Sequence, residues 1–451
     1  TLSTGERQRA QLARAVRNET TGVLYVLDEP SIGMHPANIE GLIGVMRDLQ
    51  SGGNSVVFVD HDVQILRAAD HLIELGPGAG SLGGNIVSQG SIEQVTTNEN
   101  SLLSPFLNGE AEIVTRAQRT EFDEWLRLET QPIHTVHALD VRIPLGAMTA
   151  VTGVSGSGKT TLILDSLVPA INGNKPSHVS GIEPGSINKV RIVDATPIGV
   201  NVRSTVATYS GAMDELRKAY AKTDEAKRRR LKAGAFSYNT GKLRCPECDG
   251  TGQISLDVQF LPDVTISCPS CNGSRFVPEA NEITIETADS QISLPQALEL
   301  SVSEAAAAFA GTKMERKLKN LVELGLGYLK LGEDTPALSG GEAQRLKLAG
   351  EITKRQAGTL FVLDEPSVGL HPLDVRVLVG VLQRLIENDA TVVVIEHDLD
   401  LIANCDYVID MGPGGGARGG RVVATGTPDE VARNPDSITG RYLSKTIGRN
   451  Q

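Results

Sequence analysis

Short apolar runs, each ending on an acidic residue or close before a histidine, recur along this chain and predict buried parallel strands. Gly22 to Leu27 and Thr359 to Leu363 both run into Asp-Glu, while Ser55 to Val59 and Thr391 to Ile395 stop just short of His61 and His397. Met148 to Thr152 is a further apolar run, leading instead into Gly153. Helical spacing over Gln8–Arg17 and Ala343–Lys354 precedes the runs, and Leu162 to Leu167 continues as a helix, so the alternation is that of an α/β sheet. Ser101 to Pro132 has no clear period and reads as a connector, with Trp125 a packing residue in it. From about Gly181 to Pro336 the α/β pattern lapses into Gly/Pro-rich, basic and cysteine-bearing sequence, the mark of a large insertion.

The runs are repeated. Residues 2–95 and 338–431 align without a gap at an offset of 336. Leu2-Ser3-Thr4-Gly5-Glu6 answers Leu338-Ser339-Gly340-Gly341-Glu342, Leu27-Asp28-Glu29-Pro30-Ser31 answers Leu363-Asp364-Glu365-Pro366-Ser367, and Asp60-His61-Asp62 answers Glu396-His397-Asp398. A repeat this long means two copies of one domain. The first copy opens directly on its motif at Thr1, so the chain is expected to be the carboxy-terminal part of a longer one; half a sheet cannot bury its faces.

A length of 451 residues allows two to four domains. The formal charge of −12 gives no global attraction to nucleic acid, so any such contact must come from a local basic surface. No apolar run approaches the roughly 20 residues that span a bilayer. The start does not read as a secretory leader, and the expected compartment is the cytoplasm.

Gly153-Val154-Ser155-Gly156-Ser157-Gly158-Lys159-Thr160 lies between a predicted strand and a predicted helix, the setting in which a phosphate-binding loop is trustworthy. Glycines let backbone N–H groups turn onto the phosphates, and the helix start adds partial positive charge. Lys159 is expected to reach the β- and γ-phosphates of ATP, with Thr160 and Asp364 on Mg²⁺. Glu365 is placed to polarise the attacking water, and His397 to sense the γ-phosphate. Leu-Ser-Gly-Gly-Glu followed by Gln-Arg resembles the signature of ABC-class ATPases. That resemblance implies that Ser3 and Gly5 of one copy close over ATP held by the P-loop of the other.

Cys245-Pro-Glu-Cys248 and Cys268-Pro-Ser-Cys271, nineteen residues apart, fit a structural four-cysteine zinc site. Disulfides are the weaker reading without an export signal. Just upstream, Ala226 to Arg244 holds seven basic residues and no acidic one: Lys227, Arg228, Arg229, Arg230, Lys232, Lys242 and Arg244. With Phe236 and Tyr238 among them, they suggest a nucleic-acid backbone, against the plainer reading of a solvated charged face.

Taken together, these motifs resemble the UvrA family, the damage-recognition ATPase of the bacterial excinuclease, over nearly the whole chain. Ala147 to Lys159, Phe260-Leu261-Pro262-Asp263, Leu75-Gly76-Pro77-Gly78 and Met411-Gly412-Pro413-Gly414 carry the likeness. It implies an α/β fold of two ABC-type ATPase cassettes, the first incomplete, with a zinc-containing domain inserted in the second. The expected divisions are 1–105 for the first cassette, 106–135 for a connector, 136–180 and 336–451 for the second cassette, and 181–335 for the insertion. It further implies ATP hydrolysis coupled to DNA binding, a homodimer, and the second excinuclease subunit as partner, with no membrane. Ala195 stands where members have glutamine, Thr4 replaces a signature glycine, and Val200-Asn201-Val202-Arg203 replaces Arg-Thr-Pro-Arg. These departures favour a divergent paralogue of the kind associated with tolerance of DNA-binding drugs. The competing reading, the ATP-binding subunit of a drug-efflux transporter, gives no reason for the cysteines.

Overall fold

The structure, a computed structural model, describes residues 21–78, 83–111, 118–196, 198, 203–256, 264–287, 290–352 and 354–448. The chain forms two compact units, Thr1–Ala195 with Glu351–Gln451, and Thr196–Gly350. Helix Gln8–Arg17 and the signature residues Ser3, Thr4 and Gly5 lie outside the described residues, as does 257–263.

In the first unit, the first repeat supplies β1 (Leu24–Asp28) and β2 (Ser55–Val59), paired in parallel, then β3 (Leu72–Gly76) and β4 (Asn85–Gly90), paired antiparallel. The next strands are β5 (Trp125–Thr130), β6 (Leu139–Pro144), β7 (Met148–Thr152), β8 (Val179–Glu183) and β9 (Lys189–Val193). β5 corrects the reading of Ser101 to Pro132 as featureless. Leu126, Leu128 and Thr130 alternate inward against Arg127 and Glu129, which makes β5 the centre of an antiparallel sheet, β6-β5-β8. Trp125 does pack, edge-on to Phe122 and Tyr407.

The second unit holds two antiparallel hairpins, β10 (Gln253–Leu256) with β11 (Val264–Ser267), and β12 (Thr284–Glu286) with β13 (Gln291–Ser293). It ends on the helix Gly340–Leu348, capped by Ser339 and Glu342 in a reciprocal capping box. That helix is shorter than the spacing over Ala343–Lys354 suggests.

The chain then returns to the first unit with β14 (Thr359–Asp364), β15 (Thr391–Ile395), β16 (Tyr407–Gly412) and β17 (Arg421–Gly426). They join β7 and β9 in a six-stranded sheet of order β17-β16-β7-β15-β14-β9, parallel except at the β17 edge. Its central strands are buried throughout, as expected for a sheet covered on both faces.

The repeats differ in what surrounds their strands. β7 fills the place between β15 and β16, whereas no described strand stands between the corresponding β2 and β3. Leu24, Val26, Val57, Val59, Ile73 and Leu75 of the first repeat are accordingly exposed, Val26 to 69%. Their counterparts Leu360, Val362, Val393, Ile395, Ile409 and Met411 are buried, Val362 completely. An apolar strip of this kind marks a surface made to be covered. No helix among the described residues is long and apolar enough to cross a membrane.

Candidate active site and metal centre

β7 delivers the chain into residues 153–160 beneath β16. Gly153 has φ of 128°, and a Cβ there would stand 1.9 Å from the Met411 carbonyl oxygen, so only glycine fits this crossing. The loop runs into a helix whose first turns, Thr161–Leu167, are π-helical before Val168–Ile171 become α-helical. Lys159 is buried and donates to the carbonyls of Gly153 (2.9 Å) and Val154 (3.3 Å). Burial pulls its ammonium down to about 8, opposed by the carboxylates of Glu365, Asp364, Asp410 and Glu396.

Asp364 ends β14, where burial raises its carboxyl and Lys159 opposes the rise. Glu365 follows with φ of 46°, and Glu29 repeats this at 44°. Such left-handed backbone at a non-glycine residue is uncommon and tends to gather at functional sites. His397 Nε2 lies 3.8 Å from Glu365 Oε1, and His61 Nε2 lies 3.8 Å from Glu29 Oε1. His397 is buried and held neutral by that burial, with Lys159 and His35 adding to the effect. Its main-chain N–H donates to Glu396 at 2.6 Å.

The repeats face each other across this site. A Cβ on Gly33, where φ is 63°, would come within 2.7 Å of Glu365 Oε2; Gly369 stands in the same way beside Glu29, at 3.5 Å. The ring of His35 meets His397 edge-on at 5.7 Å, and His371 meets His61 at 6.5 Å. A cavity of about 440 Å³ opens between them, lined by Glu29, His61, Glu365, His397 and Lys445 among others. Gly33 and His35 carry no motif of their own. The signal was in the repeat, since Ser31-Ile32-Gly33-Met34-His35 answers Ser367-Val368-Gly369-Leu370-His371.

Ser157 Oγ and His397 Nδ1 are buried and lack a hydrogen-bond partner among the described residues. Such groups are costly unless something polar reaches them, and with the lysine and glycines they fit a polyphosphate. Thr160 is exposed at the helix start, where its hydroxyl is free to meet a cation. The candidate nucleotide residues Gly153, Val154, Ser155, Gly156, Ser157, Gly158, Lys159, Asp364, Glu365 and His397 thus fall in one unit.

In the second unit the thiols of Cys245, Cys248, Cys268 and Cys271 lie within 4.8 Å of one another and are buried. Cys245 and Cys268 are 4.0 Å apart, and Cys248 and Cys271 3.7 Å, close to the ~3.8 Å that a tetrahedral Zn–S site of about 2.3 Å bonds requires. The Gly252 N–H donates to Cys248 Sγ at 3.3 Å. Burial alone would push the Cys248 thiol up, but this bond and the neighbouring thiols bring it down to about 7. Burial pushes Cys271 up to about 12.

The basic residues are less one-sided than their sequence window. Lys227 pairs with Asp224, Arg228 with Glu225, Arg229 with Glu225 and Glu282, and Arg244 with Asp249. Arg230, Lys232 and Lys242 are exposed. Phe236 and Tyr238 are buried; Phe236 lies tilted against Tyr220, and Tyr238 lies against Phe276 and Arg275. They are core residues, which corrects the reading that set them beside the basic groups as nucleic-acid contacts.

No family model matches the chain. Whole sequences do. UvrABC system protein A of Aquifex aeolicus is 47% identical over 459 residues, 99% of this chain and 49% of that protein. The Deinococcus radiodurans protein of the same name is 46% identical over 460 residues, 99% of this chain and 45% of its own. The chain is UvrA-like over its whole length. It spans about half the length of these curated relatives. The crystal structure of UvrA2 from Deinococcus radiodurans superposes with a TM-score of 0.91 at 42% identity, covering 99% of this chain and 54% of that one. A ribosome-bound archaeal Pelota and ABCE1 model matches at a TM-score of 0.55 and 18% identity, a likeness of fold alone, over 99% of this chain and 63% of that one. The mixed α/β architecture is that of an ABC-type ATPase.

Proposed function

We propose that this chain carries the ATP-hydrolysing site and a DNA-contacting surface of a UvrA-type damage-recognition ATPase. The observation that carries the reading is the cluster of Lys159, Asp364, Glu365 and His397, closed from the other repeat by Gly33 against Glu365. Lys159 holds the β- and γ-phosphates on the 153–158 loop, and Thr160 with Asp364 holds Mg²⁺, which neutralises charge on the transferring phosphoryl group. Glu365 takes a proton from the attacking water, and neutral His397 orients the γ-phosphate. The ABC-class resemblance assigns Ser3 and Gly5, which lie outside the described residues, the role of the lid over this site. On this reading 1–105 and 136–180 with 336–451 are the two cassettes, joined by a connector at 106–135, and 181–335 is the insertion, although β9 belongs with the sheet of the first unit and the helix Gly340–Leu348 with the second.

Cys245, Cys248, Cys268 and Cys271 hold one structural zinc, a reading supported by their spacing and burial. Lys227, Arg228, Arg229, Arg230, Lys232, Lys242 and Arg244 meet DNA phosphates, since exposed ion pairs of this kind are worth only about 0–1 kcal/mol and yield readily to a phosphate. A homodimer in the cytoplasm, with the second excinuclease subunit as partner, follows from the UvrA likeness. The departures at Ala195 and 200–203 favour a divergent, drug-tolerance role, and nothing in the site favours the transporter reading.

Glu365→Gln, made in the whole protein, tests the site. It should bind ATP yet turn over at least ~10²-fold more slowly, the loss typical of a missing general base. Unchanged turnover would move the base elsewhere.

A further inference from the structure

His35 belongs to the first repeat, yet its hydrogen bonds lead into the second. The Ala37 N–H donates to His35 Nδ1 at 3.2 Å, so Nδ1 is unprotonated and the ring proton sits on Nε2. His35 Nε2 then donates to Thr439 Oγ1 at 3.1 Å. Thr439 passes its own proton on, donating to Asp410 Oδ1 at 2.8 Å, while Ser437 Oγ donates to Asp410 Oδ2 at 2.6 Å. All four side chains are buried, and burial holds His35 neutral, at about 4. Tyr442 of the same helix, Ile438–Ile447, bonds Glu40 of the first repeat at 2.8 Å and meets His35 edge-on.

Asp410 is not a remote carboxylate. It pairs in register with Thr152, the residue before Gly153, and is one of the negative charges acting on Lys159. Both its oxygens are nevertheless held by hydroxyls, while Lys159 donates to the Gly153 and Val154 carbonyls. The first repeat lacks this arrangement. Glu74 answers Asp410 and, with the same offset of 336 carried beyond the aligned repeat, Ser101 answers Ser437, but Leu103 stands at the position of Thr439, and main-chain N–H groups of Leu102 and Leu103 cover the other oxygen.

We propose that His35 is a positioning residue for the nucleotide site of the other repeat: through Thr439 it keeps the Asp410 carboxylate on hydroxyl partners and off Lys159, leaving the lysine for the phosphates. The docked first repeat thereby tunes nucleotide affinity in the second, and the reverse route is closed because Leu103 has no hydroxyl. The idea rests on the reading of Lys159 as the phosphate-binding lysine.

The test is steady-state ATP hydrolysis by the whole protein and its variants, with thermal unfolding recorded for each. Thr439→Val keeps the shape and removes the hydroxyl; the freed Asp410 oxygen turns to Lys159 and competes with phosphate. The KM for ATP should rise at least about 5-fold with kcat within about 2-fold, because a hydrogen bond to a charged group is lost while the reacting groups stay. Thr439→Ser should restore the KM. His35→Asn keeps the bond to Ala37 but does not reach Thr439; it should raise the KM too, and add nothing to Thr439→Val in the double variant. His35→Gln, which can reach Thr439, should lie nearer the parent. An unchanged KM in Thr439→Val, a Ser variant no better than Val, or additive effects would overturn the relay. A parent protein without ATP turnover would instead overturn the ATPase reading, and the same variants are then judged on nucleotide affinity by fluorescence titration with N-methylanthraniloyl-ADP. No nucleotide binding at all would sink both.

Discussion

His35 shows how one buried residue can answer to pH as well as to geometry. Its folded value of about 4 lies below the ordinary 6.5, with Lys159 and His397 its charged and titratable neighbours. Between those two values the unfolded chain binds a proton that the folded one refuses, so stability falls as pH drops through that window. Asp62, raised by burial from 3.8 to about 6, works the other way: its contribution is complete below 3.8 and is lost as pH rises through about 6. Comparing the parent with His35→Asn in denaturant unfolding separates the two. From pH 7 to 4.5 the parent should lose about 2.5 kcal/mol more than the variant, given the shift and about 1.4 kcal/mol per pH unit. A gap that does not change with pH would mean that His35 titrates in the folded protein as it does in the unfolded chain. At this scale Lys159, Asp364, Glu365 and His397 were legible in the sequence because each sits at a fixed offset from a strand end. His35 and Gly33 were not, because their role appears only when the two repeats face each other.

Strands were the readable elements. Met148–Thr152 and Thr391–Ile395 fall where the apolar runs put them, since a buried parallel strand is apolar on both faces; Ser55–Val59 is a strand too, but Val57 and Val59 are exposed rather than buried. Edge and half-buried strands were lost. β5 alternates Trp-Leu-Arg-Leu-Glu-Thr, and β9 alternates Lys-Val-Arg-Ile-Val, each too short and too charged to stand out from a loop. The cysteine pairs are legible from their spacing, and the alternation from Gln253 to Phe260 reads as a strand, of which Gln253–Leu256 pairs with Val264–Ser267. Metal binding should dominate its order, because among the described residues Ile254 is the partly buried apolar side chain packed against the four thiols. The parent should carry one zinc per chain by elemental analysis, and the Cys268→Ser, Cys271→Ser double variant none. Zinc needs thiolates, so affinity should fall as pH falls. Zinc release to a chromophoric chelator should be faster at pH 5.5 than at pH 7.5, with faster amide exchange in the hairpin. A protein equally ordered and metal-free, or bridged by disulfides, would contradict this.

On the scale of the whole molecule, the proposed function asks how nucleotide state would reach DNA, and one position concentrates it. The chain leaves the unit of the P-loop at Ala195 and begins the other at Thr196, whose carbonyl and hydroxyl accept from Lys347 Nζ at 2.9 and 3.1 Å. The UvrA likeness puts a glutamine at this crossing, a group able to sense the γ-phosphate and hand the signal on. Alanine has no hydrogen-bonding side chain with which to do so. The basic residues from Lys227 to Arg244 belong to the second unit, and their exposed ion pairs leave them open to phosphates. In a chain of net charge −12, the proposed DNA binding would have to draw its attraction from that local surface. Duplex DNA affinity should therefore fall steeply between about 50 and 200 mM salt, as counterion release requires. It should differ little between ATP- and ADP-bound protein. Ala195→Gln should open a difference between the two nucleotide states without changing the salt slope, because the number of phosphate contacts stays the same. Titrations of the parent and of Ala195→Gln with each nucleotide, at two salt concentrations, decide the matter. A strong nucleotide effect in the parent would show that the signal crosses without this side chain, along Asp194 or Thr196.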